Sequence, residues 1–269
     1  MLRFISFGSG SSGNCYYLLS EEGGLLIDAG IGVRTIKKAF RDYGLDLNSI
    51  RAILVTHDHF DHVSSVGSLS YQLSLPVYAT KLVHEGIKRN YHVGRKIEEI
   101  NKHFIEKGQQ IDLAGFTITP FDVPHDSKDN VGFCIERRSA TFCVITDIGH
   151  ITDCIKSYIS KATHMVIEAN HDEEMLRMGP YPTILKDRIS GGRGHLSNKL
   201  CGLAIAENMG EGLRNIWLCH LSEENNHPQL ALKTVETILE ENGKRVGERL
   251  SIEVLRRRTP TGIFDLEST

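Results

Sequence analysis

The sequence predicts a layered fold of the α/β (α+β) class. Short apolar runs of strand character alternate with helical patterns along all 269 residues. Glycine-rich turns separate the first strands. Polar residues with chemistry to offer (Asp28, His57, Asp147, Glu168 and His220) each stand at or just after the end of an expected strand. Sites in layered α/β proteins collect on such loops.

The elements follow in order. Leu2–Phe7, Tyr16–Leu19 and Leu25–Ile27 read as strands. A helix is expected over Val33–Tyr43, where Ile36, Phe40 and Tyr43 share one stripe. Ala52-Ile53-Leu54-Val55 is a short apolar run of the kind found in a fully buried strand, and it stops at Thr56, directly before a cluster of histidines and aspartates. Helical stretches at Val63–Leu73 and Thr80–Tyr91 then alternate with strands at Val77–Ala79 and Phe116–Val123, and Val131–Arg137 with Thr141–Thr146 reads as a hairpin. The second half alternates helix Ile151–Ser160, strand Met165–Ala169, helices within Asp172–Ile189 and Asn198–Asn208, and strand Asn215–Cys219. Helix Pro228–Glu241 and a strand at Ser251–Leu255 close the pattern. No repeat or Pro/Ser-rich linker divides the chain, so residues 1–269 are expected to form one domain.

Composition narrows the function classes. Hydrophobic residues make up 40% and charged residues 24%, which excludes a disordered chain. No apolar run approaches the roughly 20 residues that a membrane span needs. The N-terminus has no signal-peptide core, so a cytoplasmic protein that does not bind membranes is expected. The six cysteines include no CxxC pair or zinc-ribbon spacing, and several sit in apolar runs, so buried free thiols are favoured over disulfides.

The strongest chemical signal is His57-Asp58-His59-Phe60-Asp61-His62, an H-x-H-x-D-H cluster. Imidazoles and a carboxylate on a tight turn after a rigid strand are what a divalent metal needs. Four residues cannot close two metal sites, so further ligands are expected at other strand ends. His125 follows the run ending at Val123, Asp147 follows Val144-Ile145-Thr146, and His220 follows Trp217-Leu218-Cys219.

The order Asp28, His57/His59/Asp61/His62, His125, Asp147, His220 resembles the metallo-β-lactamase superfamily along nearly the whole chain. The resemblance implies a four-layer αββα sandwich of two mixed β-sheets flanked by helices, with two divalent metal ions. One ion would be held by His57, His59 and His125, and the other by Asp61, His62 and His220, with Asp147 bridging. Asp28 would orient the histidine loop, as acids do for metal-bound imidazoles. Two ions about 3.5–4 Å apart can share a water, lower its pKa and neutralise the charge that develops on the attacked group. Zinc is the first candidate, and manganese and iron suit the same ligands.

Several further segments are similar to the YycJ/WalJ-like subgroup, related to the tRNase Z and β-CASP nuclease branches. They are the opening Phe7-Gly8-Ser9-Gly10-Ser11-Ser12-Gly13-Asn14, the stretch Glu168-Ala169-Asn170-His171-Asp172, and Gly194-His195-Leu196-Ser197. That likeness implies a bacterial cytoplasmic nuclease, with His195 contacting phosphate or donating a proton and Glu168 supporting it. Only 73 positions separate Asp147 from His220, which leaves no room there for a β-CASP insert. Recognition of a long nucleic acid would use this chain's own loops or the second subunit of a homodimer.

The segment Arg188–Ser197 is glycine-rich and runs into a helix capped by Ser197. Free amides at a helix start, with guanidinium groups, make a phosphate cradle; a plain Gly-rich connector fits equally well. Arg188, Arg193, Gly194 and Ser197 are therefore candidate substrate-binding residues, together with Asn170 and His171. Gly8-x-Gly10-x-x-Gly13 fits a dinucleotide fingerprint but precedes another strand, not a helix, so a turn between paired strands is expected. A net charge of −3 lacks the general basicity of a DNA-binding domain. Lys186, Arg188, Arg193 and Lys199 could still hold a phosphate backbone, whereas Arg256-Arg257-Arg258 reads as a solvated face.

The first functional reading is a dinuclear metal-dependent phosphodiesterase acting on DNA or RNA as an exonuclease, with Asp61, Asp147, His195 and Glu168 in the catalytic set. The alternative is a small-molecule hydrolase acting on a thioester, lactone or cyclic nucleotide. Metal-dependent oxidation on the same ligands is a third class.

Overall fold

The computed structural model describes residues 1–247 and 249–266. The chain forms two compact units. The first comprises Met1–Pro120, Ser127–Val131 and the stretch from Arg256; the second comprises Phe121–Asp126 and Gly132–Leu255.

The first unit is built on strands β1 (Leu2–Gly8), β2 (Cys15–Ser20), β3 (Gly23–Ile27), β4 (Ile50–Leu54), β5 (Val77–Ala79), β6 (Lys102–Phe104) and β14 (Thr261–Asp265). They form a mixed seven-stranded sheet in the order β14-β1-β2-β3-β4-β5-β6. Antiparallel pairing from β14 to β3 gives way to parallel pairing from β3 to β6. The helices are α1 (Val33–Asp42), α2 (Phe60–Val63), α3 (Val66–Leu73) and α4 (Lys81–Arg89). Ile36 and Phe40 of α1 and Val66 and Leu69 of α3 pack with Ile5, Phe7, Tyr17, Ile53 and Val77 of the sheet in one apolar core. Most residues of β2 to β4 are buried, which explains their near-continuous apolar runs. A short hairpin pairs β7 (Ile111–Leu113) with β8 (Phe116–Asp122), the latter running on into the second unit.

In the second unit the strands β9 (Val131–Arg137), β10 (Ala140–Ile145), β11 (His164–Glu168), β12 (Asn215–Cys219) and β13 (Ser251–Val254) stand in the order β13-β12-β11-β10-β9. The pairing is parallel from β10 to β13 and antiparallel between β9 and β10. The helices are α5 (Asp153–Lys161), α6 (Glu173–Met178), α7 (Thr183–Ser190), α8 (Asn198–Asn208) and α9 (Pro228–Glu241). Ile155, Ile159, Ile205 and Val235 from three of them join Ile145, Ile167 and Leu218 in a second core. Thr152, Asp172 and Ser197 cap α5, α6 and α8 with side-chain oxygens.

Strand register brings the polar strand ends level. Ile27 pairs with Leu54, so Asp28 emerges beside the chain that leads to Thr56 and His57. Ile145 pairs with Ile167, and Ile167 with Leu218, so Asp147, Glu168 and His220 emerge along one edge of parallel strands.

The expected helix Val63–Leu73 is interrupted. Ser64 donates its hydroxyl to the Gly30 carbonyl and Ser65 its amide to Ala29, which separates α2 from α3. Strands β6, β7 and β14 escaped the sequence reading; β6 and β7 are three residues long and only partly buried, so neither an apolar run nor alternation marks them. The glycine-rich segment after β1 leads into antiparallel β2, not a helix, as a turn between paired strands requires. All six cysteines are free thiols, five of them buried and Cys154 exposed. No helix among the described residues is long and apolar enough to cross a membrane.

Candidate functional site

In the first unit the histidine cluster occupies the turn between β4 and α2, with His59 at the N-cap of α2. His57 and His62 are fully buried, their rings 4.1 Å apart, and His59 packs edge-on to His57 at 4.7 Å. The Asp28 carboxylate organises this turn. Its Oδ1 accepts the Thr56 amide at 2.8 Å, and its Oδ2 accepts the Thr56 hydroxyl at 2.8 Å and lies 2.7 Å from His62 Nδ1. Thr56 Oγ1 in turn lies 3.0 Å from His57 Nδ1. Asn14 fastens the other side: its amide donates to the Asp61 carbonyl at 2.8 Å, its carbonyl accepts from Gly30, and its Nδ2 lies 2.9 Å from His62 Nε2. Gly30 sits so close to Asp61 that a Cβ there would overlap the Asp61 carbonyl oxygen.

In the second unit Glu168, wholly buried at the end of β11, is surrounded by donors. Its Oε1 lies 2.8 Å from His195 Nδ1 and 3.0 Å from His220 Nδ1; its Oε2 accepts the amides of Ile148 at 2.7 Å and Leu196 at 3.1 Å. Burial alone would raise the Glu168 pKa, but the His195 charge and the hydrogen bonds from His195 and His220 outweigh it and hold the acid well below the usual carboxylate range. For His195, burial disfavours the imidazolium, and the Glu168 charge and hydrogen bond overcome that and raise its pKa. Asp147 Oδ1 faces three imidazoles, with His125 Nε2 at 3.6 Å, His195 Nδ1 at 3.7 Å and His220 Nε2 at 3.7 Å. The His195 ring stands 5.1 Å from that of His125 and 5.2 Å from that of His220. Donor atoms of Asp147, Glu168, His195 and His220 lie within 4.8 Å of one another.

Four of the expected ligand histidines share one arrangement. Nδ1 of His57, His62, His125 and His220 lies 2.7–3.0 Å from an oxygen, on Thr56, Asp28, the Gly194 carbonyl and Glu168 respectively. A ring that donates Nδ1–H keeps its lone pair on Nε2, and a carboxylate or carbonyl behind a metal-binding histidine fixes tautomer and orientation in this way. The donor set therefore fits divalent metal. Backbone conformation marks the same places. Six described residues other than glycine have positive φ, and Asp28 (58°), Asp147 (54°) and His220 (55°) are three of them. Such conformations are costly and concentrate at functional sites.

The substrate-binding candidates divide. Asn170 Nδ2 donates to the His220 carbonyl at 2.8 Å, and His171 is buried with its carbonyl accepting from Asn198. Gly194 supports His125 through its carbonyl, and Ser197 spends its hydroxyl oxygen on the Leu200 amide. The amides of Gly194, His195, Leu196, Asn198 and Leu200 donate within the protein. Arg188 Nε lies 2.6 Å from Asp126 Oδ2, and Arg193 is exposed.

Thr56 and Gly30 escaped the sequence reading because their roles depend on neighbours across the fold. Asn226, which donates to the carbonyls of Ala169 and Asn170 at 2.9 and 3.0 Å, escaped it as well. For Thr56 one signal existed: it stands between the buried strand and the first histidine.

Residues 24–220 match the family described as Beta-lactamase superfamily domain. The chain is 35% identical over 262 residues to exodeoxyribonuclease YycJ of Bacillus anthracis, covering 97% of this chain and 98% of that protein. It is 33% identical over 245 residues to exodeoxyribonuclease WalJ of Streptococcus pneumoniae serotype 2, covering 91% of each. Among solved structures, the metallo-beta-lactamase fold protein YhfI from Bacillus subtilis superposes with a TM-score of 0.70 at 17% identity, covering 97% of this chain and 99% of that one.

Proposed function

The chain belongs to the beta-lactamase superfamily, and on that premise we propose that it is a metal-dependent exonuclease of the cytoplasm, with both units serving one catalytic domain. The observation that carries this reading is the common setting of His57, His62, His125 and His220, each with Nδ1 held by a protein oxygen, in a chain 35% identical to an exodeoxyribonuclease. His57, His59 and His125 would hold one divalent ion; Asp61, His62 and His220 would hold the second, with Asp147 shared. Zinc is the first metal to test, before manganese and iron. Bound there, the ions would polarise a phosphodiester and acidify water.

The chain's own residues have distinct tasks. Asp28 keeps His62, and Thr56 keeps His57, in the tautomer with its lone pair on Nε2; at His62 that lone pair accepts from Asn14 Nδ2 at 2.9 Å, a bond that an ion would replace. Glu168 holds His195 and His220 by their Nδ1 atoms. The Glu168 charge and hydrogen bond favour the imidazolium form of His195, whose Nδ1 is taken by Glu168, and a proton on its Nε2 would serve the leaving alkoxide. Arg193, exposed on the neighbouring loop, supplies positive charge for the backbone of DNA or RNA.

The test is to reload metal-free protein with zinc, manganese or iron and to assay end-labelled single- and double-stranded oligonucleotides. Ladders of shortened products that disappear in Asp61→Ala are expected. Hydrolysis of short thioesters or lactones that exceeds turnover of every oligonucleotide would overturn the reading.

A further inference from the structure

We propose that Phe60, Tyr91 and His92 form a stacking platform for unpaired nucleobases of a single-stranded nucleic acid; this deepens, and rests on, the nuclease reading above. Phe60 lies between the candidate ligands His59 and Asp61, yet its side chain faces solvent and is 48% exposed. Tyr91 is 86% exposed. Between them His92 meets Phe60 edge-on at 5.7 Å and Tyr91 at 3.9 Å between ring centroids. Three aromatic rings thus form a continuous exposed surface that begins inside the histidine cluster. Large apolar side chains left in water at such a place mark an interaction surface.

Charge identifies the occupant. The segment Lys88-Arg89-Asn90-Tyr91-His92-Val93-Gly94-Arg95-Lys96 carries four Lys/Arg side chains and no acid, in a chain whose net charge is −3. Lys88, Arg89 and Arg95 are exposed; the Arg95 guanidinium lies 3.7 Å from the Tyr71 ring centroid, and Arg89 reaches Glu85 only at 3.9 Å. Cations interleaved with exposed rings are how single strands are held without sequence preference, phosphates on the cations and bases on the rings. In a duplex the base faces are hidden in the stack and only edges remain accessible. The surface therefore suits unpaired bases.

The platform is held in shape before any ligand arrives. Asn90 Nδ2 donates to the carbonyl of Asp58, inside the histidine cluster, at 3.3 Å, and the His92 amide donates to Asn90 Oδ1 at 3.1 Å. Lys96 turns inward and donates to the carbonyls of Ile87 and Asn90, and Val93 anchors the segment in the core. Bases seated here would place the adjoining phosphates next to His57 and His59, both in the same unit.

The experiment is fluorescence anisotropy with labelled 12-nucleotide single strands of DNA and of RNA, a blunt DNA duplex, and a DNA strand of abasic residues, all with excess chelator to prevent cleavage. Tyr91→Ala and His92→Ala are expected to weaken binding of the base-bearing strands about tenfold, and Tyr91→Phe to retain it. Affinity for the abasic strand and the duplex should not separate wild type from Tyr91→Ala. Thermal melting serves as the fold control. Equal affinity of wild type and Tyr91→Ala for base-bearing strands overturns the platform while leaving the nuclease reading intact. A dimer in sedimentation that dissociates on Tyr91→Ala also overturns it, since the surface is then a subunit interface. Wild type that neither binds nor, with metal restored, cleaves any strand overturns both.

Discussion

Asp28 Oδ2 lies 2.7 Å from His62 Nδ1, with both side chains wholly buried and Asp28 in the left-handed region at φ 58°. A carboxylate in that position fixes the imidazole tautomer and raises its basicity. Asp28→Asn keeps the size and tolerates the left-handed backbone. It is expected to weaken metal affinity by about 10–100-fold, measured by competition against a chromophoric chelator. Affinity equal to wild type would show that Asp28 only holds the turn.

Glu168 supports two histidines and two backbone amides with one carboxylate. Glu168→Gln replaces one acceptor oxygen by an amide donor and leaves buried groups mismatched. A loss of about 1–3 kcal/mol in stability is expected, together with a fall in turnover greater than the fall in metal content. Chemical denaturation and metal analysis on the same samples separate the two effects.

His195→Ala should retain metal stoichiometry and lower turnover of phosphodiesters by about 10²–10⁴-fold, the range for loss of a general acid. A substrate with a good leaving group, which needs no proton, should recover most of that loss. If both substrates suffer equally, His195 binds the substrate and does not donate a proton.

Gly30→Ala tests the packing beneath the histidine turn without touching a ligand. The added methyl group would overlap the Asp61 carbonyl, so the backbone of Asp61 and His62 must move. A stability loss of about 1–3 kcal/mol is expected from overpacking, with weaker metal binding. The melting temperature and metal titration measure the two.

Metal-free protein should gain stability when a binding metal is added, by about 2.7 kcal/mol at one hundred times the dissociation constant. Asp61→Ala and Asp147→Ala should reduce that gain, read as a smaller rise in melting temperature with zinc or manganese. An undiminished rise in Asp147→Ala would reject its role as a shared ligand.

Much of the fold was legible because the buried strands announce themselves. β4, β10 and β12 carry apolar runs that stop at Thr56, Asp147 and His220, and the capping residue Ser197 stands where α8 begins. The break between α2 and α3 was not legible, because Ser64 and Ser65 bond to Gly30 and Ala29, more than thirty residues earlier in the chain. Residue chemistry also suggested amides for phosphate around Gly194 and Ser197. The structure shows which of them are used internally: the Gly194 amide donates to the Gly191 carbonyl and the Asn198 amide to the His171 carbonyl, partners that lie in turns and segments no local pattern specifies.

By itself the sequence determined which residue types could bind metal and where each strand would deliver them, since local apolar patterning and ligand identity are one-dimensional properties. Only the tertiary structure decided what stands behind each ring: Thr56 for His57, Asp28 for His62, Gly194 for His125 and Glu168 for His220. It alone decided, too, that Phe60, Tyr91 and His92 share one surface. Hydrogen bonds and ring contacts depend on distance and direction in space. Residues 69 positions apart, such as His125 and Gly194, meet because the packed unit brings them together.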